Sequence, residues 1–316
     1  MMLKIMDNQN QSLHPAGHFT LLPGGGLGNR LLSLASASRL AKKRNWSFDV
    51  HWEPNFECFC SFSDLFEVDL PPAPDRAPEK IIHRTFDANQ KRGGIHTDDP
   101  IPDTRGPFAI YSNAAFLDDN EYCHLGRHEG PELLEFRDAL MRLQPKQEIL
   151  DTVKSFVAEN RLKGCVGIHI RRGYLDERFP KHLEWLRMFS DEFYASLAER
   201  VLASGRRLFI CSDQKSLVSD FSHRFGALNF PTVSFEKNSD PNAIKSAFSE
   251  ILALSQCTEI ISTYGSTFSY LASILGRRIN NTLLFDQESS GIKIEPVNFG
   301  VFDLKTGRAT RPPISF

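Results

Sequence analysis

Apolar and polar residues follow one another in blocks that predict strands and helices in regular succession. The first block reads FTLL, PGGGLGN, RLLSLASASRLAKKRN and SFDVHW. In its long third part, five residues at helical spacing share one face: Leu31, Leu34, Ala35, Ser38 and Ala41. The order strand, glycine loop, helix, strand predicts a βαβ unit with parallel strands.

From residue 108 onward, predicted strands and helices alternate more regularly. FAIYSNAAF predicts a strand, and PELLEFRDALMRLQPKQEILDTVKSFVAEN predicts two helices that meet at Pro145. The later strands are CVGIHI, RLFICSD, TVSF, EIISTYG and NTLLFD, and the helices between them are LEWLRMFSDEFYASLAERVLAS, KSLVSDFSHRFG, NAIKSAFSEILALSQC and STFSYLASILG. This pattern predicts an open parallel sheet with helices on both faces, which binds ligands at the carboxyl ends of its strands.

The segment from residue 70 to about residue 106 interrupts this alternation. It contains PPAPDRAPEK, KRGG and TDDPIPDTRG, and segments so rich in Pro, Gly and charge rarely form packed helices or strands. We expect a long, partly flexible surface excursion here, either an acceptor-binding loop or lid, or a plain disordered loop. The predicted organisation is therefore an N-terminal domain, 1–150, on the acceptor side, and a C-terminal domain, 151–316, that binds a nucleotide.

Composition excludes several classes of protein. With 41% hydrophobic and 24% charged residues, the chain resembles a folded enzyme rather than a disordered, fibrous or membrane protein. The 37 basic and 39 acidic residues give a net charge of -2, so nucleic acid and anionic membranes are not expected partners. We find neither a run of about 18 apolar residues nor the apolar core of a signal peptide, and we expect a cytoplasmic location without a membrane segment. The oligomeric state is left open.

The cysteines do not indicate a metal site. Cys58 and Cys60 are close in sequence, but no second Cys/His pair stands at zinc-finger spacing. We expect buried free thiols throughout: Cys58, Cys60, Cys123, Cys165, Cys211 and Cys257.

Three loops that leave predicted strand ends carry the candidate chemistry: GGGLGN, HIRRG and TYGST. In HIRRG, Arg171 and Arg172 directly follow an apolar strand. Guanidinium groups bind phosphate through paired hydrogen bonds, which makes this pair the strongest candidate for an anion site. The alternative is an arginine pair that is ion-paired or solvated and binds no ligand.

The TYGST loop leads from a strand through Gly265 into a helix that begins Ser266-Thr267. Such a turn presents backbone N–H groups, hydroxyls and the positive end of a helix to an anion. An ordinary N-cap at Ser266 or Thr267 is the alternative.

The GGGLGN loop resembles the dinucleotide-binding fingerprint, with Asp49 at a suitable distance for a ribose. Its register differs, because Gly24, Gly26 and Gly28 repeat every second residue and Asn29 stands where the last glycine belongs. We therefore do not expect nicotinamide or flavin. Glycines here let the backbone approach a sugar or pyrophosphate closely, and the candidate contacts are Gly26, Leu27, Gly28 and Asn29.

These blocks, HIRRG, GGLGN followed by RLLSLASA, and STYGSTFSYLA, together resemble the α1,2-, α1,6- and protein O-fucosyltransferase superfamily. The likeness is greatest to bacterial α1,2- and nodulation-type α1,6-fucosyltransferases. The resemblance implies a GT-B fold with two facing Rossmann-like domains, GDP-fucose as donor, a glycan or protein hydroxyl as acceptor, and inverting catalysis without a metal or other cofactor.

The resemblance also implies roles for individual residues. Arg171 would stabilise the leaving β-phosphate, Arg172 would assist the diphosphate or orient its neighbours, and His169 would contact the nucleoside. Glu250 stands where the family places an Asp that reads guanine, with a solvated helix-face glutamate as the alternative. The phosphate-binding turn would be Gly265, Ser266, Thr267 and Phe268.

The proton acceptor of the reaction is less well defined by the sequence. Asp176 and Glu177 follow the arginines and are the candidate general bases, and His182 is a further option. Asp213, at the end of RLFICSD, could reach the nucleotide or could cap the next helix.

Two other functions fit the same residues. A GT-B transferase could use another nucleotide sugar, because arginines and a Ser/Thr turn recognise any diphosphate. A non-catalytic sugar- or nucleotide-binding protein could keep the fold without a base.

Overall fold

Two large β-sheets flanked by helices, and a separate two-stranded sheet, make up the described part of the protein. The computed structural model describes residues 16–68, 70, 78, 80–87, 95–98, 100–102, 108–113, 115–116, 131–172, 189–231, 240–263, 266–277, 279–286, 291–297, 301–303 and 308–310. The strands are β1 Gly17–Pro23, β2 Trp46–Val50, β3 Ile81–Asp87, β4 Ile95–Asp98, β5 Phe108–Ser112, β6 Cys165–Ile170, β7 Arg207–Ser212, β8 Leu228–Asn229, β9 Glu259–Thr263, β10 Ile279–Asp286, β11 Gly291–Val297, β12 Val301–Asp303 and β13 Arg308–Thr310. The helices are α1 Leu27–Arg44, α2 Pro131–Met141, α3 Gln147–Glu159, α4 Asp191–Ala203, α5 Lys215–Phe225, α6 Pro241–Leu254 and α7 Thr267–Gly276.

The N-terminal sheet has the strand order β2-β1-β5-β3-β4. The strands β1 and β2 run parallel on either side of α1, which confirms the predicted βαβ unit. Phe19 in β1 lies in register with Phe48 and Phe108 of the neighbouring strands, and its ring stacks on both, with centroids 5.4 and 5.9 Å apart. These aromatic pairs fix the register of the sheet, because a slip of one residue would turn them to the opposite face.

Two strands of this sheet correct the sequence prediction for residues 70–106. β3 pairs parallel with β5, and β4 closes the edge antiparallel to β3. Ile82 and Arg84 of β3 are both buried. The prediction of a surface excursion was therefore wrong for these two segments. Their charged sequences form strands only because a neighbouring strand supplies hydrogen-bonding partners. The rest of the segment lies largely outside the described residues.

Helix α1 crosses behind this sheet and reaches the second half of the molecule. It packs on β1 and β2 and also touches α2 and α7. Its predicted apolar face is buried at Leu31, Leu34, Ala35 and Ala41, whereas Ser38 is half-buried. The helix ends at Asn45, whose φ of 52° is the left-handed conformation typical of a C-terminal cap.

The C-terminal sheet has the order β11-β10-β9-β6-β7-β8. Its strands from β10 to β8 pair in parallel, as the alternation predicted, and β11 adds an antiparallel edge. The helix predicted from residue 183 begins at Asp191 among the described residues, because the Ser190 side chain caps it there by accepting from the Phe193 N–H. The predicted strand TVSF lies outside the described residues.

One apolar core connects the two sheets. It runs from Phe19 and Leu31 to Phe248 and Leu271, so α1, α6 and α7 pack together between the sheets. A second core under α4 and α5 covers the other face of the C-terminal sheet. The domain boundary near residue 150 stays a prediction.

Smaller features of the chain agree with the sequence analysis. The described cysteines are free and buried: Cys58, Cys60, Cys165, Cys211 and Cys257. Within the part of the chain that the structure describes, no helix is long and apolar enough to cross a membrane.

Candidate functional site

The HIRRG and TYGST loops meet at the carboxyl ends of two neighbouring strands. β6 and β9 pair in parallel, with His169 opposite Ser262. The His169 imidazole stacks on the Phe268 ring of α7, with centroids 4.6 Å apart and an interplanar angle of 15°. The arginines that follow β6 therefore lie beside the start of α7.

Arg171 lies at the exposed edge of this site. Its guanidinium pairs with the Asp213 carboxylate at 3.3 Å, and 35% of its side chain is exposed. Its backbone N–H donates to the Thr263 hydroxyl at 3.3 Å. The backbone is thus anchored to β9, while the cationic end faces Asp213 and solvent.

Arg172 has a different environment, although it is the next residue. Its guanidinium is buried, donates to the Phe189 carbonyl at 2.7 Å and pairs with the Asp191 carboxylate. It also lies over the Tyr194 ring, 5.2 Å from the centroid. Arg172 therefore joins the β6 loop to the start of α4, and of the two roles that the resemblance implied, these contacts fit the orienting one.

Asp213 connects the two arginines, and its placement corrects the helix-cap alternative. Its carboxylate accepts from the Arg172 backbone N–H at 2.8 Å as well as pairing with Arg171. The N-cap position of α5 is Gln214, whose side chain makes no capping bond. Asp213 thus holds the arginine loop instead of capping a helix.

Tyr194 supports the same loop from below. Its buried hydroxyl hydrogen-bonds the Thr263 hydroxyl at 2.6 Å, and Thr263 in turn accepts from Arg171. Burial raises the pKa of Tyr194 to about 12, so the phenol stays protonated. No pattern in the sequence marks Tyr194, because an aromatic residue on an amphipathic helix is indistinguishable from ordinary core.

The glycine loop comes from the other half of the molecule and contacts α7. A Cβ added at Gly28 would lie 2.7 Å from the Thr267 Oγ1, so only glycine lets α1 and α7 approach this closely. Gly25 has a φ of 75°, which also favours glycine. The two loops that the sequence placed in different domains therefore meet.

Arg30 holds the glycine loop in place. Its buried guanidinium donates to the carbonyls of Gly25 at 2.9 Å and Glu53 at 2.7 Å, and it lies 5.0 Å from the centre of the Trp52 ring. We did not identify Arg30 from the sequence. A charged residue within the apolar run RLLSLA was the available signal, since a buried arginine must satisfy several donors.

Both helices that meet here lack side-chain caps. The N-cap residue of α1 is Gly26, which has no side chain, and that of α7 is Ser266, whose side chain makes no capping bond. The first turn of each helix also contains no acidic residue. Ser266 thus occupies the N-cap position considered for it, but its side chain makes no capping hydrogen bond. The first N–H groups of a helix have no partner within the helix, so two positive helix ends converge on this site.

His169 is buried between these elements and stays neutral. Burial, followed by the charge of Arg171, lowers its pKa to about 3. Its Nδ1 atom is buried without a hydrogen-bond partner. A buried ring nitrogen without a partner is costly and is typically satisfied by water or ligand.

Glu250 is buried in α6, which excludes the solvated helix-face alternative. Burial is the main cause that raises the pKa of its carboxyl to about 8; the thiol of Cys211 lowers it and the charge of Asp213 raises it further. Burial raises the pKa of the Cys211 thiol as well, so the thiol is protonated and donates toward the carboxyl. Glu250 is thus a buried carboxyl close to Asp213.

The structure gives no place in this site to the remaining candidate residues, most of which it does not describe. Asp176, Glu177, Gly265 and His182 lie outside the described residues. A dinucleotide fingerprint would place Asp49 at a ribose, but its carboxylate lies 3.1 Å from the Nε2 atom of the His18 ring. No group of three or more metal-ligating side chains occurs in the described parts of the chain.

Several solved structures of fucosyltransferases share this architecture. The fucosyltransferase NodZ from Bradyrhizobium has 14% identity and a TM-score of 0.56, covering 89% of this chain and 99% of its own. Arabidopsis thaliana FUT1 in complex with GDP has 12% identity and a TM-score of 0.53, covering 95% and 81%. POFUT1 in complex with GDP-fucose has 12% identity and a TM-score of 0.51, covering 85% and 96%.

The chain has the GT-B fold. No protein-family model matches it, and no curated protein matches it by sequence. The GT-B fold confirms the α/β class expected for the chain. In this fold, the glycine loop that follows β1 contacts the start of α7, which follows a strand of the other sheet.

Proposed function

We propose that the protein is a glycosyltransferase that moves fucose from GDP-fucose to a hydroxyl group of a glycan or protein acceptor. The observation that carries this proposal is the placement of Arg171. Its guanidinium lies partly exposed against Asp213, and its backbone is anchored to Thr263, the last residue of the strand before the uncapped helix α7, in a fold shared with NodZ soaked with GDP-fucose. The expected setting is the cytoplasm.

The diphosphate of the donor fits the positive groups at this site. Helix N-termini bind phosphate through their unpartnered N–H groups, and Gly26, Leu27 and Gly28 supply such groups on one side, with Asn29 beside them. On the other side are the turn residues Ser266 and Thr267, with Phe268 in the first turn. Arg171 would exchange part of its contact with Asp213 for a phosphate, which a guanidinium binds through two hydrogen bonds.

The nucleoside would lie against His169 and Glu250. The unpartnered Nδ1 of His169 can hydrogen-bond a sugar or base atom, and the low pKa keeps this ring uncharged at neutral pH. Guanine presents two N–H donors side by side, and a carboxylate can accept from both. Glu250, in a buried setting next to Asp213, supplies such a carboxylate once it loses its proton.

The proposed reaction is inverting and independent of metal. Breaking the bond between the anomeric carbon and the diphosphate puts negative charge on the leaving oxygen, and preorganised cations and N–H donors stabilise this charge. Arg171 and the α7 N-terminus would do so. The acceptor hydroxyl must lose its proton, and Asp176 or Glu177 stay the proposed bases. Turnover should be unchanged by EDTA, and a loss that Mg²⁺ or Mn²⁺ restores would contradict metal independence.

A thermal-shift panel of GDP, UDP, ADP and NAD tests the nucleotide class. We expect GDP to raise the melting temperature most and Arg171→Ala to reduce that shift. A larger shift with UDP would favour another nucleotide sugar. A shift with GDP but no transfer from GDP-fucose to any acceptor would favour a non-catalytic binding protein.

A further inference from the structure

Two exposed aromatic side chains lie three positions apart in the segment that contacts the glycine loop. Phe56 is 84% exposed and Phe59 is 48% exposed, although most large apolar side chains of the described residues are buried. Single exposed apolar residues are common and need no explanation. Two phenylalanines three positions apart, beside a candidate site, are a reason to look for a ligand.

The turn that carries these rings is well fixed. Asn55 and Cys58 exchange backbone hydrogen bonds of 3.2 and 3.0 Å, and the Asn55 side chain accepts from the N–H groups of Glu57 and Cys58 at 2.9 and 3.1 Å. The thiols of Cys58 and Cys60 are buried beneath the turn, 3.8 Å apart. The aromatic rings are thus held out by a rigid turn, which lowers the entropy cost of binding a ligand.

The same turn adjoins the proposed donor site. The Glu57 carbonyl would lie 3.6 Å from a Cβ at Gly26. Arg30 joins the two segments, because it donates to the carbonyls of both Gly25 and Glu53. Phe56 directly precedes Glu57, so their Cα atoms lie about 3.8 Å apart.

An acidic side chain, that of Glu53, belongs to the same segment as the two rings. The Glu53 side chain is 74% exposed, and its carboxylate contacts the His51 ring at 2.7 Å. Flat aromatic faces pack against the C–H faces of sugar rings, and carboxylates accept hydrogen bonds from sugar hydroxyls. The negative charge of Glu53 disfavours an anionic ligand.

We propose that Phe56 and Phe59 form a stacking platform for a pyranose ring of a neutral oligosaccharide, the acceptor of the transfer reaction. This assignment rests on the proposed function, since it is the neighbouring donor site that makes the bound sugar an acceptor. The platform would hold one ring of the glycan beside the glycine loop, so that a hydroxyl group of the chain reaches the fucose.

Direct titration with neutral oligosaccharides tests the platform without the donor. The probes are chitotetraose, maltotetraose and mannotetraose, and binding is followed by saturation-transfer NMR and calorimetry. The proteins are the wild type, Phe56→Ala, Phe59→Ala, Phe56→Trp and, as a matched exposed apolar control on α2, Met141→Ala. The GDP-induced thermal shift of each variant reports separately on folding and on the donor site.

We expect at least one probe to bind the wild type. Each alanine variant should bind that probe about fivefold more weakly, which corresponds to a contribution of roughly 1 kcal/mol from a stacked ring. Phe56→Trp and Met141→Ala should bind as the wild type does. The platform is overturned if no probe binds the wild type, as for a protein acceptor, or if both alanine variants bind normally. Sugar binding without any GDP shift would instead contradict the proposed donor.

Discussion

Arg171 and Arg172 differ because successive residues at the end of a strand point to opposite faces of the sheet. Arg172 turns toward α4, where the Phe189 carbonyl and Tyr194 ring enclose it. Arg171 turns toward Asp213 and stays partly exposed. Of the two, Arg171 is placed to meet a ligand, and Arg172 to hold the loop that presents it.

Substitution should separate these two roles. Arg171→Ala should lower kcat with GDP-fucose by about 10²- to 10³-fold, as for the loss of one transition-state donor, and leave the melting temperature nearly unchanged. Arg171→Lys should also be poor, because an ammonium group cannot form the paired hydrogen bonds of a guanidinium. Steady-state kinetics and thermal unfolding of the same preparations provide the measurement.

Arg172→Ala is the matched control. It removes buried hydrogen bonds and packing, so the free energy of unfolding should fall by about 2 to 4 kcal/mol. Equal losses of stability in both variants, or full activity in Arg171→Ala, would show that the roles are assigned wrongly.

Glu250 should make stability depend on pH. Its pKa rises from 4.5 to about 8 on folding, so between these values the folded protein binds more protons than the unfolded chain. The contribution of Glu250 to the free energy of unfolding is therefore complete below pH 4.5 and is lost as the pH rises through 8. Urea unfolding at several pH values should show a decline on the order of a few kcal/mol in the wild type relative to Glu250→Gln.

The same variant tests the guanine contact. Because guanine needs the ionised carboxylate, GDP affinity of the wild type should increase between pH 6 and 8, and calorimetry should detect proton release on binding. Glu250→Gln should bind GDP more weakly and without that pH dependence. Identical pH profiles for the two proteins would remove Glu250 from the nucleotide site.

At the scale of elements, the contact between α1 and α7 assembles the site. Gly28 lies against Thr267, and a methyl group there would meet both side-chain and backbone atoms of α7 within 3.1 Å. The close approach brings two positive helix ends together, which neither sheet could provide alone.

Gly28→Ala should push these helices apart and weaken GDP binding. We expect at least a tenfold increase in the GDP dissociation constant, because phosphate contacts depend steeply on distance. Gly164→Ala is the matched control, since its added Cβ would have no neighbour within 4 Å. Calorimetry with GDP on both variants makes the comparison, and unchanged affinity in Gly28→Ala would show that the contact is not needed.

The elements with clear periodicity could be predicted from the sequence. CVGIHI and the helix after the glycine loop have local patterns that suffice to predict β6 and α1. The strands β3 and β4 do not, because the structure of β3 depends on pairing with β5 and that of β4 on pairing with β3. The contact of the glycine loop with the start of α7 could be inferred only as a consequence of the fold.

The side-chain environments in the site were harder to foresee. Nothing in the sequence distinguishes the buried Arg172 from the partly exposed Arg171, or shows that Asp213 holds the arginine loop instead of capping α5. Such differences depend on long-range contacts with α4 and β7, which a local pattern does not contain.

At the scale of the whole molecule, one apolar core joins the two sheets through α1, α6 and α7. A ligand held by loops from both sheets should therefore stabilise the protein as one unit. With GDP at 100 times its dissociation constant, the free energy of unfolding should rise by about 2.7 kcal/mol. Calorimetric scans should show one transition that shifts as a whole; two transitions of which only one moves would contradict this.

The central claim is that the molecule uses GDP-fucose as its sugar donor. The most direct test is the rate of GDP release from GDP-fucose in the presence of a glycan acceptor, compared with the rates of nucleotide release from GDP-mannose and UDP-galactose at equal concentrations. We predict turnover with GDP-fucose well above that with either other donor, accompanied by a fucosylated product. Faster turnover with UDP-galactose or GDP-mannose, or none with GDP-fucose across a broad set of glycan and protein acceptors, would contradict the account.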